Sequence, residues 1–277
     1  MNIGFRHHKV GRLEYLTIPA FENAGLVAHC FTTRLGGVST GECETLNMGL
    51  YRNDIRENVM ENYRIITKQV GIDYNGLVFS NQVHDDKIAD VTDGDRGMQP
   101  FGEGIERGID GLITDEPDVP LITFYADCVP LFFLDPVQKV IALVHSGWRG
   151  TVKQIGKKAI GKMINEYGCR AEDILTAIGP SIGKCHFEVD RPVAEAFYKA
   201  YGPCAKGFIE EKQNGKYHID LWTANILQFK EIGIRERNIT LAQECTCCNR
   251  HIYFSHRGNK GKTGSLAAIM MLKKVDG

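Results

Sequence analysis

The sequence predicts an α/β fold of the α+β sandwich type, in which mixed β-sheets are flanked by helices. Its 277 residues are 43% hydrophobic, which is enough to fill the core of one large domain. Segments with strand character outnumber segments with helix character, and several of them follow one another directly along the chain. This order favours mixed sheets with helices packed outside over a regular βαβ alternation.

Ten segments rich in β-branched and aromatic residues are the candidates for strands. In chain order they cover residues 25–33, 76–80, 110–114, 121–126, 129–134, 139–145, 174–178, 239–243, 252–255 and 266–272. Several are separated by only a few residues, and this spacing is the reason for predicting mixed sheets.

Four further segments combine a helix-capping residue with apolar residues at helical spacing. The capping residues are Asp54, whose distance from Glu57 matches a capping box, and then Thr151, Asp190 and Asp220. The corresponding helices are predicted to end near Val70, Gly168, Tyr201 and Gly233.

The chain is predicted to form a single domain over residues 1–277. It contains no internal repeat, no low-complexity tract and no linker rich in proline or serine. The longest irregular stretch covers about residues 90–108 and holds five glycines. Loops of that length are uncommon unless they have a function, so this stretch is a candidate functional loop.

Charge and hydropathy argue against several classes of partner. Lysine and arginine number 33 against 34 acidic residues, so the net charge of -1 predicts no binding to nucleic acid or to an anionic membrane. No apolar run approaches the roughly 18 residues that span a bilayer, and the first residues lack the apolar core of a signal peptide. We therefore expect a cytoplasmic protein, whose nine cysteines are candidates for metal binding rather than for a disulfide framework.

Reactive residues concentrate in three segments at the ends of predicted strands. These segments are Asn81-Gln82-Val83-His84, Tyr125-Ala126-Asp127-Cys128-Val129-Pro130 and Val144-His145-Ser146-Gly147-Trp148-Arg149-Gly150-Thr151. In the third segment a strand passes through glycine into a helix, which places His145 at the rim of a sheet. Backbone N–H groups at the helix start, together with the guanidinium of Arg149, could then receive an anion such as phosphate.

Each of these residues also has an ordinary structural interpretation. A cysteine such as Cys128 in an apolar stretch is usually an inert core residue, and a lone histidine such as His84 usually makes a local hydrogen bond. His145 could likewise bond locally, and Arg149 could be a surface charge. Taken together, however, the two histidines and the cysteine form a ligand set that zinc accepts with a fourth position open. Their separation in sequence leaves open whether they meet in space.

A second group of cysteines and histidines lies near the end of the chain. Its spacing allows a structural zinc site, but it lacks a second spaced pair, so thiols at the edge of a pocket are the favoured interpretation. A glycine-rich turn earlier in the chain, residues 178–183, precedes a further cysteine and histidine, and this turn could line the pocket or be an ordinary loop. The residues concerned are Cys245, Cys247, Cys248, His251 and His256, and after the earlier turn Cys185 and His186.

The motifs of this chain, taken in order, resemble those of the YfiH/YlmD family of bacterial laccase-domain, or polyphenol-oxidase, proteins. The motifs that carry the resemblance are Phe31-Thr32-Thr33-Arg34-Leu35-Gly36-Gly37-Val38-Ser39, Leu46-Asn47-Met48-Gly49-Leu50, Asn81-Gln82-Val83-His84, Asp110-Gly111-Leu112-Ile113-Thr114, Ala126-Asp127-Cys128, His145-Ser146-Gly147-Trp148-Arg149-Gly150 and Ile178-Gly179-Pro180. They extend over most of the chain. The resemblance implies a single α/β sandwich domain like that of bacterial toxin deamidases of the cytotoxic-necrotising-factor type.

The resemblance also implies a metal site and an activity. The implied ligands are His84, Cys128 and His145, with zinc as the metal. Members are linked to phosphorolysis of purine nucleosides (adenosine, inosine, guanosine and methylthioadenosine) and to deamination of adenosine. Purine nucleosides and phosphate are therefore the expected partners. The tail departs from the family pattern at Gly258 and Ser265, where arginines are common, and this casts doubt on substrate binding by a second tail arginine.

Further residues are candidates for substrate binding and catalysis. Arg149 and Arg34, the latter in a glycine-rich turn, are candidates to bind phosphate. Asn47 could hydrogen-bond a ribose hydroxyl or the base. Asp127 could orient a metal ligand or move a proton, and it could equally have a structural role.

Three alternatives to zinc-dependent phosphorolysis stay open at this point. A single copper ion could occupy the same three ligands and oxidise phenols, although the nine histidines include no His-x-His pair of the kind that a four-copper laccase uses. Cys128 could instead be the nucleophile of a cysteine hydrolase, with His145 as its base. In the third alternative the zinc is purely structural and the protein is a binding module.

Overall fold

The computed structural model describes residues 1–97 and 107–274. Residues 98–106, which belong to the predicted 90–108 loop, lie outside the described residues, as do the last three residues of the predicted domain. The described strands are β1 (Asn2–Ile3), β2 (Arg6–Val10), β3 (Leu13–Thr17), β4 (Val27–Thr32), β5 (Val78–Phe79), β6 (Lys87–Asp90), β7 (Ile109–Thr114), β8 (Leu121–Tyr125), β9 (Val129–Asp135), β10 (Val140–Ser146), β11 (Leu175–Ile178), β12 (Glu188–Val189), β13 (Ile209–Glu211), β14 (Tyr217–Ile219), β15 (Ile239–Leu241) and β16 (Leu266–Leu272). The α-helices are α1 (Pro19–Ala24), α2 (Arg56–Val70), α3 (Trp148–Val152), α4 (Ile155–Tyr167), α5 (Arg191–Tyr201) and α6 (Leu221–Glu231).

Two mixed sheets form the centre of the fold. A seven-stranded sheet has the order β1-β15-β11-β9-β10-β7-β6, and a six-stranded sheet has the order β2-β3-β4-β16-β8-β5. Both combine parallel with antiparallel pairs: β11 and β15 run parallel, for example, whereas β9 and β10 run antiparallel. A small three-stranded sheet, β12-β14-β13, lies beside them. The predicted fold class, mixed sheets flanked by helices, is confirmed.

The hydrophobic core is arranged in layers on either side of the two large sheets. Apolar side chains from both sheets, such as Phe132 of β9 and Tyr125 of β8, meet in one buried cluster between them. The outer face of the seven-stranded sheet packs against α4, α5 and α6, and the outer face of the six-stranded sheet packs against α2. No helix within the described ranges is long and apolar enough to cross a membrane.

One predicted strand, at 252–255, is wrong. The chain forms turns there, in which the N–H groups of Ile252 and Tyr253 both donate to the carbonyl oxygen of Asn249. Tyr253 and Phe254 are nevertheless fully buried. Their hydrophobic pattern therefore reflects packing of an irregular segment into the core rather than strand pairing.

Two of the predicted helix starts also need correction. The helix after Asp54 begins at Arg56 with Ile55 as its cap, because the Asp54 carboxylate instead accepts hydrogen bonds from Ser39 Oγ and Asn47 Nδ2, at 2.6 and 2.8 Å. Thr151 lies inside α3 instead of capping a long helix. The chain breaks at Gln154, whose φ of 59° is left-handed, and α4 starts at the next residue.

The other two predicted helix starts are confirmed. Asp190 precedes α5, and Asp220 caps α6 by accepting hydrogen bonds from the N–H groups of Trp222 and Thr223. Such caps satisfy N–H groups that have no partner inside the helix, so they define where a helix begins.

Candidate metal centre and cavity

Strand pairing brings Cys128 next to His145. Cys128 lies where the chain crosses from β8 in one sheet to β9 in the other, and it immediately precedes β9. The antiparallel register of β9 and β10 places His145 opposite Pro130, two residues beyond Cys128. Because the start of β9 and the end of β10 share one edge of the sandwich, the thiol and the imidazole meet there.

Asp110 holds both histidines of the site. The register of β7 and β10 pairs Gly111 with Val144, so that Asp110 lies beside His145, and the two side chains form a hydrogen bond of 2.7 Å between Oδ1 and Nδ1. The same carboxylate accepts hydrogen bonds from the backbone N–H groups of Val83, His84 and Asp85 at 2.9 to 3.0 Å. Asp110 is fully buried. It therefore orients one imidazole directly and fixes the backbone that carries the other.

The three predicted ligands converge at this edge. The ligand atoms of His84, Cys128 and His145 all lie within 4.8 Å of one another. The two imidazole rings are nearly perpendicular, with centroids 4.8 Å apart. His84 has a left-handed φ of 64°, a conformation that few non-glycine residues adopt and that often occurs at functional sites.

The Cys128 thiol and the His145 imidazole change each other's protonation. Burial raises the pKa of Cys128, but the charge of His145 and hydrogen bonds from His145 and His84 outweigh burial and lower the pKa to about 6. Burial lowers the pKa of His145, but the Cys128 thiolate and the Asp110 carboxylate outweigh it and raise the pKa to about 9. The site therefore favours a thiolate, the form of cysteine that binds metal or acts as a nucleophile.

This donor set fits a metal ion. One sulfur and two ring nitrogens are ligands that zinc prefers, and three protein ligands leave a fourth position open. Since Nδ1 of His145 is bound to Asp110, its Nε2 is the atom that faces the site, and such carboxylate–histidine pairs typically support metal ligands. All three side chains line a cavity, so the open position is accessible from it. That they bind metal stays a prediction.

Gly147 offers a test of this geometry, because a methyl group at this position would enter the ligand set. A Cβ on Gly147 would lie 3.2 Å from His84 Cδ2 and 3.3 Å from Cys128 Sγ. We expect Gly147→Ala to weaken metal binding about tenfold or more, as small displacements of ligands do. Metal titration by isothermal calorimetry measures the change.

The matched control is Gly161→Ala in α4. A Cβ there comes no closer than 3.9 Å to Ile232, and alanine favours a helix interior, so metal affinity should be unchanged and stability equal or higher. Equal metal affinities for the two variants would contradict the placement of metal between His84 and Cys128.

The cavity next to the ligands has a volume of about 520 Å³, which is ordinary for a site that binds a small molecule. Much of its wall is apolar or aromatic and consists of Leu50, Tyr51, Phe124, Trp148, Phe187 and Leu221. Two arginines, Arg52 and Arg257, also line it. The cavity thus combines flat apolar surfaces with positive charge beside the candidate metal centre.

The predicted substrate residues Arg34 and Asn47 do not line this cavity. The Arg34 guanidinium donates to the backbone carbonyls of Glu44 and Arg250, and it lies over the Phe254 ring at 4.8 Å. The Asn47 amide is fully buried and is hydrogen-bonded to Asp54 and to the backbone of Gly49 and Ser265. Their contacts favour positioning roles, and their binding of substrate stays a prediction.

Of the two remaining predicted residues, Arg149 lies at the rim of the cavity and Asp127 lies in its wall. Arg149 is exposed, with its guanidinium carbon 4.5 Å from the ring centroid of Trp148, which lines the cavity. Asp127 is buried and accepts hydrogen bonds from Thr246 Oγ1 and from the N–H of Arg257, both at 2.6 Å. Asp127 therefore ties Cys128 to the tail of the chain, and the catalytic roles predicted for it and for Arg149 are untested.

Sequence reasoning missed Asp110, Arg52 and the side-chain placement of Arg257. Asp110 is the only charged residue of β7, and a charge in an otherwise apolar strand was a usable signal, since buried carboxylates need partners. Arg52 had no local signal. Its Nε donates to Ser265 Oγ at 2.9 Å, a contact that spans 213 residues of sequence.

The chain is similar to known proteins in sequence and in fold. A family model described as multi-copper polyphenol oxidoreductase laccase matches residues 28–273. A Bacillus subtilis protein named purine nucleoside phosphorylase YlmD is 35% identical over 247 residues, which are 88% of this chain and 88% of that protein. A crystal structure of Bacillus licheniformis hypothetical protein YfiH matches with a TM-score of 0.91 and 32% identity, over 97% of this chain and 99% of that one. For YlmD from Geobacillus stearothermophilus the TM-score is 0.90 and the identity 33%, with the same coverage.

Proposed function

The chain belongs to the multi-copper polyphenol oxidoreductase laccase family, and on this premise we propose that it is a zinc-dependent purine nucleoside phosphorylase. Adenosine, inosine, guanosine and methylthioadenosine are the proposed nucleosides. The observation that carries the proposal is the set of three convergent ligands, which opens into a cavity with aromatic walls and two arginines. The purine nucleoside phosphorylase part of the proposal agrees with the name of the Bacillus subtilis relative.

In phosphorolysis, a phosphate oxygen forms a bond to C1′ of the ribose while the bond from C1′ to the purine nitrogen breaks. The purine leaves with the electron pair of that bond and takes up a proton. Aromatic walls such as Phe124, Trp148 and Phe187 suit the faces of a purine, and arginines suit a phosphate. A bound zinc ion would supply electrostatic stabilisation of charge that develops on the substrate.

The positions of the arginines suggest how phosphate is held. Arg52 and Arg257 line the cavity, whereas Arg149 lies at its rim beside Trp148. We assign phosphate binding mainly to Arg52, because its guanidinium is half-buried and burial strengthens its pairing with an anion. Arg149 keeps its proposed phosphate contact from the rim of the cavity. Substrate binding by Arg34 and Asn47, and a ligand-orienting or proton-moving role for Asp127, stay predictions.

The proposed reaction is tested by its dependence on phosphate. Purified protein of known metal content is incubated with adenosine or inosine, with and without phosphate, and the products are separated. Free base and ribose-1-phosphate that form only with phosphate would establish phosphorolysis. No turnover of either nucleoside by protein with one metal ion at this site would overturn the proposal.

The same assay compares how much Arg52 and Arg149 contribute to phosphate binding. Arg52→Met should raise the KM for phosphate by about 10- to 100-fold, because a charge-assisted pair contributes about 1.5 to 3 kcal/mol. The exposed Arg149→Met should have a smaller effect. Initial rates over a series of phosphate concentrations at saturating inosine give the KM for phosphate of both variants. A larger increase in this KM for Arg149→Met would mean that phosphate binds at the rim of the cavity.

Metal identity and deamination belong to the same proposal. Two nitrogens and one thiolate are also ligands that copper accepts, so elemental analysis of protein purified without added metal decides between zinc and copper. Inosine formed from adenosine without phosphate would add adenosine deamination, in which water supplies the new oxygen and ammonia leaves; a zinc ion held by His84, Cys128 and His145 would supply Lewis-acid assistance to this exchange. We also propose a cytoplasmic location, as the sequence predicts.

A cysteine hydrolase is the second candidate, because Cys128, His145 and Asp110 form a linked thiol, imidazole and carboxylate. His84 distinguishes the two functions, since it would be a ligand of the metal, whereas the hydrolase needs only Cys128 as nucleophile, His145 as base and Asp110 to orient it. If metal is required, His84→Ala should lose activity as fully as Cys128→Ser. Activity that persists in His84→Ala without metal would favour the hydrolase.

A further inference from the structure

A second cluster of cysteines and a histidine lies outside the cavity. It joins two segments that leave the same edge of the seven-stranded sheet, one after β11 and one after β15, which are parallel neighbours. A bridge between Ser181 and Cys245 holds the two segments together. The side chains that meet are Cys185, His186, Cys245 and Cys248, whose ligand atoms lie within 4.8 Å of one another.

The distances in this cluster match the edges of a zinc tetrahedron. Nδ1 of His186 lies 3.2 Å from Cys185 Sγ, 3.4 Å from Cys248 Sγ and 3.7 Å from Cys245 Sγ. The sulfurs of Cys185 and Cys248 are 3.6 Å apart. With zinc about 2.3 Å from sulfur and about 2.0 Å from nitrogen, tetrahedral edges are about 3.8 Å for two sulfurs and about 3.5 Å for sulfur and nitrogen. A disulfide would need about 2.05 Å.

The backbone around the cluster is shaped to hold it. Gly183 donates its N–H to Cys245 Sγ at 3.2 Å, and its carbonyl oxygen accepts from the N–H of His186 at 3.0 Å. A Cβ on Gly183 would lie 3.3 Å from Cys185 Sγ and 3.2 Å from the Trp222 ring. A larger residue here would crowd the Cys185 thiol and the Trp222 ring, so glycine suits the close approach of the thiols.

We propose that Cys185, His186, Cys245 and Cys248 bind a second zinc ion, which is structural. Three thiolates and one imidazole complete a four-ligand shell, and zinc sites with four protein ligands are typically structural. Cys245 and Cys248 have the two-residue spacing common in such sites, whereas Cys247 and the two tail histidines are not members of the cluster. The site corrects the interpretation of these thiols as a pocket edge, since none of its ligands lines the cavity.

This zinc would stabilise the wall of the cavity. Thr246, between two of the ligands, donates to Asp127, the residue that precedes Cys128. The carbonyl oxygen of His186 accepts a hydrogen bond of 2.7 Å from Arg257 Nη1. The second site therefore fixes two residues of the cavity wall from outside, and the proposal does not depend on which reaction the cavity catalyses.

Elemental analysis of the full chain tests the proposal directly. We expect about two zinc ions per chain in the unaltered protein and about one in Cys248→Ser, since the serine hydroxyl is a poor zinc ligand. Cys247→Ser is the matched control, because it removes the neighbouring thiol and should keep two. A zinc content that does not fall from the unaltered protein to Cys248→Ser would overturn the proposal, whatever metal the three-ligand site holds.

A second measurement does not need a folded second-site variant. The Cys128→Ser chain is stripped of metal and titrated with Co²⁺ alone, which reports tetrahedral thiolate coordination by strong visible absorption and thiolate-to-cobalt bands. One equivalent with this spectrum is the expected result. An octahedral spectrum, or a disulfide between Cys185 and Cys248 in peptides mapped by mass spectrometry under reducing purification, would contradict the site.

Discussion

Cys128→Ser is expected to lower kcat/KM for phosphorolysis by about 10³-fold or more and to remove the metal ion from the three-ligand site. Serine replaces the only sulfur among the three ligands, and a neutral hydroxyl binds zinc far more weakly than a thiolate. The loss corresponds to about 4 kcal/mol of transition-state stabilisation, a typical contribution of a catalytic metal. Initial rates with inosine and phosphate, together with metal content, measure both effects.

Cys204→Ser is the control for this substitution. Cys204 is an exposed free thiol that belongs to neither of the two clusters found among the described residues. Its replacement should leave kcat/KM for phosphorolysis unchanged and should leave both metal ions bound. Full activity of Cys128→Ser after loss of the metal would show that the metal does not take part in catalysis. If circular dichroism shows that Cys128→Ser is unfolded, His84→Ala is the variant that tests metal loss in a folded chain.

Cys128 and His145 could be singled out from the sequence because each lies at the end of a strand with a clear apolar pattern, whereas their grouping with His84 as a ligand set was implied by the family resemblance. β9, β10 and β16 are fully buried along their length, and the predictions for them agree within two residues. The register between neighbouring strands, in contrast, could not be predicted from local sequence patterns. The pairing of β7 with β10 determines that Asp110 meets His145, and no local pattern around either residue encodes that pairing.

Edge strands show the same limit for the fold. β2 has the sequence Arg-His-His-Lys-Val and is almost wholly exposed, so it lacks the alternation of apolar and polar residues that marks a half-buried strand. It pairs with β3 through its backbone. The second metal cluster is a comparable case, because Cys185 and Cys248 are 63 residues apart in sequence and become neighbours only through the parallel pairing of β11 and β15.

Asp110→Asn is expected to weaken metal binding at the three-ligand site by about 10- to 100-fold, the usual effect of removing the carboxylate behind a metal-bound histidine. Burial raises the pKa of Asp110, but hydrogen bonds from His145 and the backbone outweigh it and lower the pKa. The carboxylate thus accepts four hydrogen bonds as an anion. The side-chain amide of Asp110→Asn has only one oxygen to accept these hydrogen bonds. Its NH₂ group must then face N–H donors of the backbone or the imidazole, with which it cannot pair.

The Asp110→Asn substitution should also lower the free energy of unfolding by about 1 to 3 kcal/mol, since buried N–H donors lose their acceptor. Because the folded pKa is lowered, the carboxylate stabilises the protein above its unfolded pKa, and this contribution is lost as the pH falls through the folded pKa. Urea unfolding at neutral and acidic pH should therefore show a difference between Asp110→Asn and the unaltered protein that shrinks in acid. Asp115→Asn, an exposed change just beyond the same strand, is the control. A pH-independent difference would mean that Asp110 acts by packing alone, and the two histidines would then need another source of alignment.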